Sequence, residues 1–168
     1  MVPLIDLSRR MQANKEAFAL AVQQVMDSGN VLLGAQTTQF EKVFALFAGT
    51  QYGVAVSSGA AALQLSLAAL GIGEGDEVIV PAMTAVPTAS AVCAVGARPI
   101  IVDVDEETAA IDLDLVEAAM TERTRAVIAV HLYGRPVANL DRLMNLGVKV
   151  IEDCAQSHGA TRGLSGSI

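Results

Sequence analysis

Two hydrophobic rhythms divide the chain. Up to about residue 50, apolar residues recur every three or four positions. Phe18, Val22, Val25 and Met26 fall on one helical face, and Phe40, Val43, Phe44 and Phe47 on another. Asn14 is placed to cap the first of these helices after an extended opening, and Ser28-Gly29-Asn30 to end it. Thr38 and Glu41 read as a capping box for the second, with Gly49 as its stop. Both stripes are expected to be core or interface. From Gln51 onward the apolar residues come instead in short runs. Strands are expected at 52–56, 77–80, 99–102, 126–130 and 148–151, and helices at about 60–70, 84–95, 112–120 and 138–145. Gly71, Gly96, Gly134 and Gly147 punctuate them. This alternation predicts an α/β fold with a largely parallel sheet flanked by helices. No repeat or linker interrupts it, so residues 1–50 read as a helical segment leading into one large domain at 51–168.

Composition narrows the function classes. The 168 residues are 52% hydrophobic with a mean hydropathy of +0.47, which suits a packed core and excludes a disordered chain. The net charge is -7, and the 11 Lys and Arg residues form no cluster. That argues against nucleic acid or an anionic membrane as the partner. The start lacks the pattern of a secretory leader, and no apolar run reaches the roughly 18 residues of a membrane span. Cys93 and Cys154 sit in apolar runs and are expected to be buried reduced thiols, with no disulfide and no metal. A cytoplasmic protein is expected.

In an open α/β sheet, ligands collect outside the carboxyl ends of the strands, so the residues after each strand matter most. After the first comes Ser57-Ser58-Gly59-Ala60-Ala61, leading into a helix. Small residues let backbone approach an anion, and a helix start supplies free N–H groups and a positive dipole end. Such a turn is a phosphate cradle or simply a tight connection. Polar residues also follow the later strands, at Asp103, Asp105, His131, Glu152, Asp153, Gln156 and His158. His131 and His158 read as hydrogen-bonded structural residues. Asp153 closes a strand expected to be buried on both faces, where a carboxylate needs a cationic or hydrogen-bonding partner. A phosphate cradle plus a buried carboxylate is the pair of anchors that pyridoxal phosphate requires.

Several ordered motifs then resemble one family, the DegT/DnrJ/EryC1/StrS sugar aminotransferases. They are the stretch from Gly73 through Pro81-Ala82-Met83-Thr84 to Thr88, Val102-Asp103-Val104-Asp105, Val130-His131-Leu132-Tyr133-Gly134, and Val150-Ile151-Glu152-Asp153-Cys154-Ala155-Gln156-Ser157-His158-Gly159-Ala160. Pro3-Leu4-Ile5-Asp6-Leu7 and Ser28-Gly29-Asn30-Val31-Leu32-Leu33-Gly34 are similar to the family's opening. The resemblance implies the large domain of a fold-type I pyridoxal phosphate enzyme (aspartate aminotransferase-like). It further implies that Gly59, Ala60 and Ala61 lie at the cofactor phosphate, Asp153 at the pyridine nitrogen and Gln156 near the ring hydroxyl. The activity implied is transfer of an amino group from glutamate or glutamine to a keto-sugar or cyclic ketone, in a homodimer.

Two positions depart from the family pattern. Ala85 stands where many members carry an aromatic residue over the cofactor ring, and Ala60 where a hydroxyl residue is common. A third departure is larger. Such enzymes hold the cofactor on a lysine as a Schiff base, yet none of Lys15, Lys42 and Lys149 is suitably placed in the pattern. The lysine is expected beyond Ile168, and the unfinished Gly163-Leu164-Ser165-Gly166-Ser167-Ile168 ending reads as a cut. The chain is thus expected to be an inactive amino-terminal part of the enzyme. Two other readings remain: a sugar dehydratase of the same family, with histidine in place of the lysine, and a non-catalytic phosphate-binding module.

Overall fold

The computed structural model describes residue 3 and residues 5–161, which fall into two compact units, Met1–Ala55 and Val56–Ile168. The Gly163–Ile168 ending lies outside the described residues.

The first unit is helical over most of its described residues. Instead of an extended opening, α1 (Leu7–Ala13) begins at Asp6, whose Oδ1 accepts from the Arg9 N–H at 3.0 Å and the Ser8 hydroxyl at 2.8 Å. That carboxylate satisfies a helix-start donor that would otherwise be orphaned. Asn14 then precedes α2 (Lys15–Ser28), but its side chain donates back to the Arg10 carbonyl at 3.0 Å and leaves the α2 start uncapped. Gly29, at φ 68°, ends α2. Gly34 opens α3 (Ala35–Ala48), so Thr38 is interior to it and no capping box forms. Glu41 instead accepts from the Ala55 N–H at 2.9 Å. Phe44 lies between Phe40 and Phe47, with ring centroids 5.5 and 6.0 Å apart. The apolar stripes stay open: no residue of α2 is buried, and Ala45 alone is buried in α3.

No strand forms at 52–56. Tyr52 and Val54 are exposed, and a strand exists only where another backbone completes its ladder, which no described neighbour does here. An apolar alternation does not supply that partner.

The second unit holds the sheet. In chain order it comprises α4 (Gly59–Ala69), β1 (Glu77–Pro81), α5 (Pro87–Ala94), β2 (Arg98–Val102), α6 (Leu113–Ala119), β3 (Thr124–Val130), α7 (Leu140–Met144) and β4 (Lys149–Asp153). The strands are all parallel, in the order β2-β1-β3-β4. The period-two alternation of each central strand sorts its residues between two cores. Val78, Val80, Ala126 and Ile128 face one, with Leu63 and Leu67 of α4 and Val92 of α5. Ile79, Val127 and Ala129 face the other, with Val116 of α6 and Leu140 and Leu143 of α7. β1 and β3 are almost wholly buried, whereas among the described residues β4 pairs only with β3, and its last four residues are half-buried.

At the amino end of the sheet, Glu77 is buried at 3% exposure. It accepts from the Thr121 hydroxyl at 2.6 Å and the Arg123 guanidinium at 2.7 Å, with Arg98 at 3.9 Å. The Thr121 hydroxyl first, then Arg123 and Arg98, hold its carboxyl below the usual value. These contacts tie the starts of β1, β2 and β3 together and leave the opposite edge for ligands.

Candidate functional site

The helix that follows the Ser57-Ser58 turn determines where an anion could sit. Ser58 is extended, its Oγ accepts from the Ala61 N–H at 3.1 Å, and its carbonyl accepts from the Ala62 N–H at 2.9 Å. The Gly59 and Ala60 N–H groups have no acceptor among the described residues. Of the three small residues expected to form a cradle, two therefore present open donors and the third serves the serine cap. With no acidic residue in its first turn, α4 keeps the positive end of its dipole uncompensated there.

α4 lies against the sheet so that this end meets the carboxyl edge. Its far end, Leu70-Gly71-Ile72, lines a cleft of about 410 Å³ with Thr124, Arg125 and Lys149, at the amino ends of β3 and β4. Eleven helical residues span about 16 Å, and five strand residues about the same. Because α4 packs on β4 and the two run antiparallel, Gly59 and Ala60 come level with Asp153.

Asp153 is half-buried rather than enclosed on both faces, because among the described residues β4 has a neighbour on one side only. Its Oδ1 accepts from the Ala155 N–H at 3.1 Å, a local turn bond that supplies a hydrogen-bonding rather than a cationic partner. Oδ2 has no hydrogen bond among the described residues. Three residues on, the Gln156 Oε1 accepts from the Tyr133 N–H at 2.7 Å. Ala85 is exposed, and the neighbouring Thr84 hydroxyl meets that of Thr88 at 2.8 Å.

His131 braces this edge from below and is fully buried. Its N–H donates to the Asp153 carbonyl at 3.1 Å, Nδ1 accepts from the Val137 N–H at 3.0 Å, and Nε2 lies 3.0 Å from Glu152 Oε2. Burial works against a charged ring, while Cys154 and Glu152 favour one and would raise the pKa to about 9. A second ring proton would have to sit on Nδ1, directly opposite the Val137 N–H. The ring is therefore neutral, with its proton on Nε2 facing Glu152. His131 is the structural residue its sequence context suggests.

Other expectations are corrected. Cys93 is exposed, because it lies off the face of α5 that buries Thr88, Ala91 and Val92, and Cys154, just after β4 and beside the His131 ring, is half-buried; both are free thiols. Lys149 begins β4, about 13 Å along the strand from Asp153. The Tyr133 backbone donor is a part of the site that sequence reasoning missed. The only trace of it is the glycine that follows, since a backbone N–H carries no residue-type signal.

Residues 12–163 match the model of the DegT/DnrJ/EryC1/StrS aminotransferase family. The chain is 45% identical over 163 residues to a dTDP-3-amino-3,4,6-trideoxy-alpha-D-glucose transaminase of Streptomyces venezuelae, covering 95% of this chain and 43% of that protein. Among solved structures, S. venezuelae DesV in complex with a ketimine intermediate superposes with a TM-score of 0.90 at 45% identity, over 94% of this chain and 43% of that one. NtdA from Bacillus subtilis with bound cofactor PMP gives 0.89 at 36% identity, over 95% and 38%. The chain thus spans about two-fifths of the length of these relatives. Among the described residues no helix is long and apolar enough to cross a membrane.

Proposed function

The chain belongs to the DegT/DnrJ/EryC1/StrS aminotransferase family, and we propose that it forms the cofactor-holding part of a pyridoxal phosphate-dependent sugar aminotransferase. The observation that carries this reading is the pairing, at one sheet edge, of two open N–H groups at a helix start with the free oxygen of Asp153. The donor set fits the cofactor chemically. A phosphate dianion matches the Gly59 and Ala60 donors and the dipole of α4. A pyridine N–H matches Asp153 Oδ2, and a ring oxygen matches a side-chain amide at Gln156.

When bound, the cofactor supplies a carbonyl carbon that carries the amino group and a protonated ring that takes up electrons from the adjacent carbon. The Gly59 and Ala60 N–H groups bind and orient its phosphate. Asp153 keeps the proton on the pyridine nitrogen, and the Ala155 N–H fixes the rotation of that carboxylate. Gln156 steadies the ring oxygen. The lysine such chemistry uses is supplied, on this reading, by the part of the enzyme this chain does not span.

The substrate proposed is a nucleotide-linked keto-sugar, with glutamate or glutamine as amino donor. The relatives' sugar chemistry supports this. A cytoplasmic homodimer is proposed for the whole enzyme. The exposed Phe18, Phe40 and Phe47 on α2 and α3 support a partner surface there.

Titration of the isotope-labelled chain with pyridoxamine phosphate tests the reading, because NMR detects millimolar binding and an amine cannot condense with a stray lysine. Saturable shifts are expected at Gly59 and Ala60, with at least tenfold weaker binding in Asp153→Ala. Shifts confined to the Arg125–Lys149 cleft at the opposite edge would refute it. With the aldehyde form and borohydride, no stoichiometric adduct is expected on Lys149.

A further inference from the structure

The turn after β3 holds an unusual residue. Tyr133 sits at φ 58°, ψ 20°, left-handed backbone that a bulky side chain rarely adopts. Such a conformation persists only where its surroundings over-determine it, and here three bonds do so. The Arg135 N–H donates to the Leu132 carbonyl at 3.0 Å, closing the turn. The Arg135 guanidinium donates to the Glu107 carbonyl at 2.6 Å, and the Val137 N–H to His131 Nδ1 at 3.0 Å. Gly134 follows at φ 82°, and a Cβ there would lie 3.4 Å from the Gln156 carbonyl oxygen, so the turn rests directly on Gln156.

This geometry aims the Tyr133 N–H at the Gln156 side chain, 2.7 Å from Oε1. A backbone N–H can meet only the oxygen end of an amide, so the contact decides which end of Gln156 is turned away. Since Gln156 is exposed, the end turned away is available to a ligand.

We propose that Tyr133 is a positioning residue: its N–H, held by the left-handed turn, sets the Gln156 amide with its NH2 outward, so that this position donates to an anionic ring oxygen. The inference rests on the cofactor reading above and adds the device that selects a donor over an acceptor. The tyrosine side chain is not part of the device; its backbone is.

Amide hydrogen exchange on the chain, with pyridoxamine phosphate as the probe for binding, tests this. In the wild type the Tyr133 amide should exchange slowly although the residue is exposed. Gln156→Leu should speed that exchange at least tenfold, and equal rates would overturn the contact. Tyr133→Gly, which keeps the N–H and suits the left-handed region, should retain protection. Tyr133→Val, which does not suit it, should lose protection and let the Gln156 NH2 resonances collapse toward free values. Loss of protection in both variants, or in neither, would overturn the role of the backbone conformation. Gln156→Glu keeps an acceptor for Tyr133 but removes the donor. It should preserve Tyr133 protection and weaken pyridoxamine phosphate binding at least tenfold, and undiminished binding would overturn the donor assignment. If no protein binds the probe while Tyr133 responds to Gln156→Leu, the cofactor reading fails, and with it the purpose of the contact but not the contact itself.

Discussion

Replacing Gly59 by proline separates binding from folding at the candidate phosphate site. Gly59 is the first residue of α4, its N–H is unpaired, and a Cβ built on it meets nothing within 4 Å. Proline is favoured at this position because its missing N–H is one the helix does not use. The preceding Ser58 is at φ -166°, ψ 164°, the extended backbone a following proline demands. The substitution should therefore leave the fold intact and stabilise it by about 0.4–1 kcal/mol through the unfolded chain. It nevertheless removes one of two donors. A hydrogen bond to a charged group contributes about 1.5–3 kcal/mol, which corresponds to roughly 10- to 150-fold in affinity.

The assay pairs urea denaturation with an NMR titration by pyridoxamine phosphate. Gly59→Pro should bind 10- to 150-fold more weakly while melting no lower than the wild type. Gly59→Ala keeps the N–H and has room for its methyl, so its binding should stay near that of the wild type. A folded Gly59→Pro protein with undiminished affinity would show that the phosphate does not use the start of α4. A protein that unfolds would contradict the helix boundary instead.

Three further outcomes follow from the packing and the charges. Leu67→Ala should cost about 2–5 kcal/mol in urea denaturation, because Leu67 is fully buried, whereas Leu65→Ala on the exposed face of the same helix should stay within about 0.5 kcal/mol; similar costs would contradict the orientation of α4. Glu77, held below its usual value of 4.5 by Thr121, Arg123 and Arg98, contributes stability that is present above about pH 4.5 and is lost as the pH falls through its lower folded value. The stability gap between wild type and Glu77→Gln, from urea midpoints between pH 7 and 3, should accordingly narrow below pH 4.5. His131→Phe should cost about 1–3 kcal/mol by stranding the Val137 N–H, and hydrogen exchange at Val137 should accelerate; an unchanged Val137 amide would remove His131 from its bracing role.

The fold class was legible in the sequence because it rests on local and periodic signals. Alternating residues such as Val78, Ile79 and Val80 must face opposite sides of a strand, and short apolar runs separated by helical stretches have few arrangements other than a parallel sheet. The small-residue turn before α4 and the carboxylate that closes β4 could be singled out as well, because each follows a short apolar run, whereas Gln156 rested on the family resemblance alone. The apolar run at 52–56 misled for a corresponding reason: its pattern is that of a strand, but pairing depends on a neighbour that pattern does not encode.

Tertiary structure decided which donors and acceptors are free. The sequence by itself determined that small residues open α4 and that a carboxylate closes β4. Packing α4 antiparallel on β4 brought those two ends level, and the Ser58 hydroxyl chose Ala61 over Gly59 and Ala60. The edge position of β4 left Asp153 half-buried, and the left-handed Tyr133 turned the Gln156 amide. Residue type states what a group can donate or accept. Which of those capacities remains unspent depends on neighbours from 2 to 23 positions away in the chain, and only the folded backbone brings them within hydrogen-bonding distance.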